Sequence, residues 1–180
     1  MRPLFALMVA TWFGSGLIPP VLLNGMAGTY GSLAAIPVCY VALWSSTFMA
    51  ESLFLQIIWY LFFMSCIFCV GLWSIPIAEA TLGARKDWRG KVREHDQSQI
   101  VVDEIIGMLT TCMPLLWIRH NPAVAFFAAF VFFRLFDITK LWPGHYFDRM
   151  ERPVGVLLDD VVAGIYAAIA LVVFLEAVGS

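Results

Sequence analysis

Charged side chains are scarce in this chain. Only 13% of its 180 residues are Asp, Glu, Lys or Arg, whereas 61% are hydrophobic. A soluble domain of this length carries roughly 25% charged residues, so the composition excludes an ordinary soluble protein. The formal net charge of −2 indicates no polyanionic partner such as nucleic acid. We expect an integral membrane protein that forms one domain over residues 1–180.

Cysteine occurs four times, and its spacing indicates no metal or redox centre. All four cysteines lie in apolar runs: Cys39, Cys66, Cys69 and Cys112. Cys66 and Cys69 have a Cys-x-x-Cys spacing, but no second pair and no histidine lies near them in the sequence. We interpret all four as buried thiols that behave as small hydrophobic side chains.

The sequence also lacks the motifs of several phosphoryl-transfer enzymes. It contains neither the Asp-x-Asp of phosphatases with an aspartyl nucleophile nor a Cys-x5-Arg loop. The paired histidine and arginine motifs of phosphohistidine-forming lipid phosphatases are missing, as is the Asp-Gly-x-x-Ala-Arg run of CDP-alcohol phosphotransferases. A hydrolase built on this chain would therefore depend on water activated by a metal ion.

Several apolar runs are long enough to cross a membrane, which takes about 20 residues. Five of them are the main candidates: 31–49, 53–77, 100–118, 122–142 and 155–176. The segment 4–24 is apolar too, but two glycines and two prolines interrupt it, so it is either a sixth span or a re-entrant or interfacial segment. The predicted fold is an all-α bundle of five to six transmembrane helices.

Lys and Arg predict the orientation of this bundle, because cytoplasmic loops are enriched in them. The 78–99 loop carries five basic residues: Arg85, Lys86, Arg89, Lys91 and Arg93. We therefore place this loop in the cytoplasm. Threading the five spans from it puts 28–32 and 143–153 on the cytoplasmic side as well, and puts 50–52 and 119–121 outside.

Five carboxylates lie at the cytoplasmic ends of these spans: Asp103, Glu104, Asp137, Asp159 and Asp160. Ionised groups inside a membrane are costly and rare, and they usually mark a functional site. An alternative is that the acids cap helix N-termini, where the helix dipole favours negative charge. Capping explains Asp103 or Asp159 taken singly, but not the doubled acids, nor Asp137 near the C-terminal end of a span.

The type and number of these side chains favour a divalent cation and a phosphorylated substrate. Mg²⁺ takes carboxylate oxygens, keeps several waters and accepts oxygens from substrate phosphate. One carboxylate, Glu104 or Asp160, would act as general base. Asp159 and Asp160 are adjacent, so their side chains diverge by about 100° on a helix, and one can bind metal while the other orients a ligand.

Two further groups of residues allow both a structural and a functional interpretation. Arg134 and Asp137 share a helix face, so Arg134 either forms an ion pair that makes an intramembrane charge tolerable or, like Lys140, holds phosphate oxygens. Residues 28–32 open a span with glycines, Thr29 and Ser32. They form either an ordinary helix cap or an anion-binding helix N-terminus.

Four sequence motifs follow one another along the chain. They read FGSGLIP (13–19) with GTYGSLAAIP (28–37), HDQSQIVVDEIIGM (95–108), FRLFDITKLWP (133–143) and GVLLDDVVAGIYA (155–167). The set, together with FDR at 147–149, resembles the phosphatidylglycerophosphatase A family of bacterial membrane phosphatases. The chain departs from the family pattern at Ala27 and Leu141, where the family usually has proline, and the Gln97–Ile100 run lacks the usual glycine. None of these departures removes a carboxylate.

The resemblance implies an activity and roles for the residues. The implied reaction is Mg²⁺-dependent removal of the terminal phosphate of phosphatidylglycerophosphate, a phospholipid of the inner leaflet, to leave phosphatidylglycerol and inorganic phosphate. The implied catalytic acids are Asp103, Glu104, Asp137, Asp159 and Asp160, and all of them except Asp159 are implied metal ligands. The implied residues on the phosphate side are Thr29, Ser32, Arg134 and Lys140.

A divalent-cation transporter or channel is the alternative from another functional class, because intramembrane carboxylates also mark ion pathways. A transporter predicts acids spread across the depth of the bilayer to form a route. The five acids of this chain instead gather at one predicted end of the spans, which favours a site over a pathway.

Overall fold

The computed structural model of the protein describes residues 2–15, 27–82, 85–86, 92–93, 99–150 and 152–179. These ranges contain seven α-helices, one 3-10 helix and one two-stranded β-ribbon. The α-helices are α1 (Arg2–Ala10), α2 (Ala27–Met49), α3 (Leu53–Leu82), α4 (Val102–Cys112), α5 (Pro122–Thr139), α6 (Gly144–Asp148) and α7 (Pro153–Val178). The 3-10 helix (Met113–Leu116) follows α4, and β1 (Arg85–Lys86) pairs antiparallel with β2 (Val92–Arg93), with Arg85 opposite Arg93.

Four helices, α2, α3, α5 and α7, are long and apolar enough to cross a membrane. They correspond to the predicted spans 31–49, 53–77, 122–142 and 155–176, with somewhat different ends. The protein is therefore a multi-pass membrane protein with an all-helical architecture. Helix α3 continues five residues into the predicted 78–99 loop, most of which lies outside the described residues.

The predicted span 100–118 contains a shorter helix than expected. Its α-helix has 11 residues, ends at Cys112 and continues as the 3-10 helix. Pro114 has no N–H to extend the α-helical ladder, and the preceding N–H, that of Met113, donates to Thr110 O in a tighter turn. All 11 residues of α4 are buried by the other helices, so this element lies inside the bundle.

The predicted segment 4–24 does not form one continuous helix. Helix α1 ends at Ala10, and a turn follows in which Trp12, Phe13 and Gly14 all have positive φ. Residues 16–26 lie outside the described part of the chain. Helix α1 packs beside α3, with the rings of Phe5 and Trp73 6.1 Å apart, and the N–H of Val101 donates to Ala10 O at 2.9 Å.

The predicted burial of the cysteines is correct for only two of them. Cys39 and Cys112 are buried in the core, whereas Cys66 and Cys69 are exposed on the outer face of α3. Helix α3 lies at the edge of the bundle and is apolar on all sides, because lipid is an apolar solvent for its outer face. The apolar run around Cys66 and Cys69 therefore indicated contact with lipid and not burial in protein.

The centre of the bundle is the contact between α4 and α7, which glycine makes possible. A Cβ on Gly164 would lie 2.6 Å from Gly107 O and 2.7 Å from Thr110 Cβ, so the two backbones meet without intervening side chains. Thr111 Oγ1 donates to Gly107 O at 2.9 Å. From the other side, Tyr60 OH donates to Leu109 O at 2.8 Å and joins α3 to α4.

Candidate active site

Three of the predicted acids meet in one cluster, which we call the acidic cluster: Asp103, Glu104 and Asp160. Each offers a carboxylate oxygen, and these oxygens lie within 4.8 Å of one another. All three side chains are nearly buried, with exposed fractions of 8%, 9% and 4%. The tertiary structure thus brings the first turn of α4 against the first turns of α7.

The contact between α4 and α7 explains how these acids meet. Asp103 precedes Gly107 by four residues, and Asp160 precedes Gly164 by four residues. Residues four apart lie on the same face of a helix, one turn from each other. Because the two glycines are in contact, each aspartate projects toward the other helix one turn before the contact.

The acidic cluster contains oxygens that lack a partner. Glu104 Oε2 and Asp160 Oδ2 are buried, and neither has a hydrogen-bond partner among the described residues. An unpaired buried charge is costly, and adjacent carboxylates repel one another. A bound divalent cation relieves both penalties, and hard cations prefer carboxylate oxygens. The acidic cluster therefore fits a metal ion.

Asp137 lies beside the acidic cluster and not within its group of three. Its Oδ2 is 2.7 Å from Arg134 Nη1, one turn away on α5. The guanidinium paired with Asp137 and the carboxylate of Glu104 would both contact a Cβ on Gly28, which places Asp137 beside the acidic cluster. The predicted ion pair of Arg134 with Asp137 is present, and the same guanidinium lies beside Glu104 of the acidic cluster.

The first turn of α2 covers the acidic cluster from another side. A Cβ on Gly28 would lie 2.5 Å from Glu104 Oε1 and 2.8 Å from Arg134 Nη1, so only glycine fits here without displacing them. Ser32 is buried, and its Oγ donates to Gly28 O at 2.7 Å within the helix. Thr29 is half-buried in the same turn. The segment approaches the acidic cluster through the backbone of Gly28.

Lys140 forms a second charged group with two carboxylates. Its Nζ lies 2.6 Å from Asp159 Oδ2 and 2.5 Å from Asp148 Oδ1. Burial by itself lowers the pKa of Lys140, but the charges of Asp159 and Asp148 outweigh it and raise that pKa above its ordinary value. Lys140 ends α5 in the left-handed region, with φ +43°, a conformation that costs about 1–2 kcal/mol for a residue with a Cβ.

The structure separates Asp159 from Asp160, as their divergence on a helix predicted. Asp160 joins the acidic cluster, while Asp159 pairs with Lys140. Asp148 was not among the predicted site residues. Asp148 belongs to the FDR stretch at 147–149, but its pairing with Lys140 depends on how α6 packs against α7 next to the end of α5.

A small pocket lies between the end of α5, α6 and the first half of α7. Its lining includes three charged side chains, namely Asp137, Lys140 and Asp159. Apolar and aromatic residues line the remainder, including Phe136, Val162 and Tyr166. The pocket is next to the acidic cluster. Asp159, which lines the pocket, is followed in the sequence by Asp160 of the cluster, and Asp137 lies beside the cluster.

Comparison with known proteins identifies related sequences. A family model described as Phosphatidylglycerophosphatase A matches residues 8–175. A phosphatidylglycerophosphatase A of Escherichia coli (strain K12) is 36% identical over 162 residues, which cover 89% of this chain and 78% of that protein. The phosphatidylglycerophosphatase A of Haemophilus influenzae is 33% identical over 168 residues, covering 91% of this chain and 85% of the relative.

A third relative has a different name. A protein of Bacteroides thetaiotaomicron, named as a candidate phosphatidylinositol-3-phosphatase, is 31% identical over 176 residues, covering 96% of this chain and 95% of its own length. No solved structure matches the chain at a significant level.

Proposed function

The chain belongs to the phosphatidylglycerophosphatase A family, and we propose that it hydrolyses the terminal phosphate monoester of phosphatidylglycerophosphate. The products are phosphatidylglycerol and inorganic phosphate. The acidic cluster is the observation that supports this proposal and indicates where the reaction takes place. There, Glu104 and Asp160 have buried oxygens without hydrogen-bond partners among the described residues.

The acidic cluster would hold Mg²⁺ through Asp103, Glu104 and Asp160, with Asp137 beside it. When bound, Mg²⁺ supplies positive charge for the phosphate oxygens and activates water. Three carboxylates within 4.8 Å of one another match the oxygen ligands that this cation prefers. The role of general base falls to Glu104 or Asp160, each of which has an oxygen able to accept a proton from water.

Arg134 is suited to orient the phosphate. Its guanidinium has five N–H donors in a planar fork, and its ion pair with Asp137 leaves further donors available. Its Nη atoms lie beside the first turn of α2 and Glu104. We assign Asp137 the task of fixing this guanidinium and Gly28 the task of leaving room for it. Thr29 stays a candidate contact of the phosphate, whereas Ser32 donates within its own helix.

We place the protein in the bacterial cytoplasmic membrane, with the acidic cluster facing the cytoplasm and the substrate in the inner leaflet. The basic 78–99 segment supports this orientation. Helix α4 and its 3-10 extension reach about 25 Å, slightly less than a bilayer core of about 30 Å. They would form a fifth membrane element that the other helices enclose, and α1 would be a short segment that enters the membrane beside α3.

The transport alternative has less support than hydrolysis. The acidic cluster, Asp137, Asp148 and Asp159 all belong to one end of the bundle, so they do not form a route across it. The name of the Bacteroides relative concerns another phosphomonoester on a lipid headgroup, and it makes phosphatidylinositol 3-phosphate a useful comparison substrate.

The decisive experiment is phosphate release by purified protein in detergent micelles. The substrates are phosphatidylglycerophosphate, phosphatidate and phosphatidylinositol 3-phosphate, each with Mg²⁺ and with EDTA. We expect Mg²⁺-dependent release from phosphatidylglycerophosphate that is lost in Asp103→Asn and Asp160→Asn. Glu51→Gln is the matched control, because it neutralises an exposed acid in the turn between α2 and α3. Folded wild-type protein that releases no phosphate from any of these lipids would refute the proposal.

A further inference from the structure

Lys140 is held by carboxylates from two helices, much as a bound metal ion would be. Its Nζ lies 2.6 Å from Asp159 Oδ2 on α7 and 2.5 Å from Asp148 Oδ1 on α6. Hard cations prefer carboxylate oxygens, and the ammonium group of a lysine meets such oxygens as a compact point charge. The ammonium of Lys140 therefore lies where these two helices could hold a cation.

The positive charge at this position is permanent. Burial lowers the pKa of Lys140, but the charges of Asp159 and Asp148 outweigh it and raise that pKa above its ordinary value, so the side chain is cationic at neutral pH. The residue ends α5 with φ +43°, in the left-handed region that favours glycine. Glycine would end the helix without that steric cost, so the side chain, and not the turn, accounts for a lysine here.

The acidic cluster is the one place among the described residues where three carboxylates could share a metal ion. Its Glu104 and Asp160 have buried oxygens without hydrogen-bond partners there, so this position fits a cation from solution. Two-metal sites place their second ion about 3.5–4 Å from the first. Asp159 directly precedes Asp160 and would be a candidate ligand of such a second ion, but its carboxylate pairs with Lys140 instead.

Resting on the proposed function, we propose that Lys140 is a built-in cation that takes the place of a second divalent metal ion, so that the active site binds one divalent cation, at the acidic cluster. The lysine supplies positive charge next to that ion without being loaded from solution. The oxygens of Asp148 and Asp159 both contact one nitrogen, so they lie close enough together to share an ion. Lys140→Ala should therefore create a second metal site.

The test counts the Mn²⁺ bound per protein in detergent micelles, after treatment with EDTA, from the electron paramagnetic resonance signal of the free ion. Mn²⁺ takes the same oxygen ligands as Mg²⁺. We expect one bound ion in the wild type, none in Asp160→Asn and two in Lys140→Ala. Arg149→Ala is the matched control with one bound ion, because it removes a positive charge from an exposed side chain next to Asp148.

Two further variants locate the ions. Lys140→Ala combined with Asp148→Asn should return to one bound ion, because the new site loses a carboxylate. Asp159→Asn should keep its one ion, because Lys140 and not the metal occupies that carboxylate.

A wild type that binds two ions or none would overturn the inference, and this count needs no variant to fold. A folded Lys140→Ala that binds one ion would overturn it too, as would the loss of the ion in Asp159→Asn. The proposed function fails separately: a wild type that binds one Mn²⁺ but releases no phosphate from phosphatidylglycerophosphate refutes the hydrolase and leaves the count of cations intact.

Discussion

The backbone of Gly28 on α2 lies directly against the carboxylate of Glu104 on α4, so close that a Cβ at position 28 would come within 2.5 Å of Glu104 Oε1. The same Cβ would lie 2.8 Å from Arg134 Nη1. A single glycine therefore allows the carboxylate of one helix and the guanidinium of another to occupy the same side of the site.

Gly28→Ala should lower activity strongly while the protein still folds. The methyl group must displace Glu104 or Arg134, and a displacement of about 1 Å at a catalytic group can cost about 100-fold in rate. Phosphate release by the purified variant measures this effect. Gly71→Ala is the control, because its Cβ would meet only the flexible end of the Leu157 side chain, at 3.1 Å. Equal activity in both variants would contradict the assigned role of Gly28.

Mg²⁺ should stabilise the wild type against heat, and Asp160→Asn should lose that stabilisation. Binding at 100 times Kd contributes about 2.7 kcal/mol, which corresponds to a shift of about 5–10 °C in Tm for a chain of this size. Without metal, Asp160→Asn should be at least as stable as the wild type, because it removes repulsion within the acidic cluster. Melting curves in detergent with Mg²⁺ and with EDTA provide the measurement. A full Mg²⁺ shift in Asp160→Asn would place the metal elsewhere.

Gly164→Ala should destabilise the protein, although alanine is the better helix former by about 1 kcal/mol. The added Cβ would meet Gly107 O at 2.6 Å, and backbone cannot move aside as a side-chain end can. Overpacking of this kind typically costs about 1–3 kcal/mol. Thermal unfolding should show a lower Tm for Gly164→Ala than for Gly71→Ala, and the opposite order would mean that α4 and α7 are not in close contact there.

Lys140→Gln should destabilise the protein more than Asp148→Asn does. The first change removes the charged hydrogen bond of Lys140 Nζ to the buried Asp159 at 2.6 Å, and a hydrogen bond to a charged group is worth about 1.5–3 kcal/mol. The second removes only a partly exposed ion pair, which is worth about 0–1 kcal/mol, and leaves the pair of Lys140 and Asp159 intact. Tm values of the two variants and of the double variant test this order, and equal losses would show that Asp159 has another main partner.

Single cysteines should report the proposed orientation. In a variant without the four native cysteines, Arg119→Cys precedes α5 and Arg149→Cys follows α6, and both positions are exposed. A membrane-impermeant thiol reagent added to intact cells should label position 119 and should reach position 149 only after lysis. The reverse pattern would place the acidic cluster at the outer face.

Much of the fold could be predicted from the sequence because long apolar runs have few alternatives in a membrane. The runs around α2, α3, α5 and α7 each had the length and composition of a span, and each is one helix. The run at 100–118 has an apolar composition similar to that of the four spans, but it contains Pro114. Its helix is short, and the other helices surround it. Composition alone does not distinguish a helix surrounded by protein from one surrounded by lipid, because both environments are apolar.

The sequence by itself predicted five carboxylates as candidate site residues, since acids in apolar helices have no ordinary structural explanation as a set, but it did not single out Asp148. Only the tertiary structure decided how they are divided. The contact of Gly107 with Gly164 brings Asp103, Glu104 and Asp160 together, the rotation of about 100° per residue turns Asp159 away to Lys140, and the fold of α6 brings Asp148 to the same lysine. Residue types and their order along a helix are local properties, whereas the distance between two helices depends on every side chain packed between them.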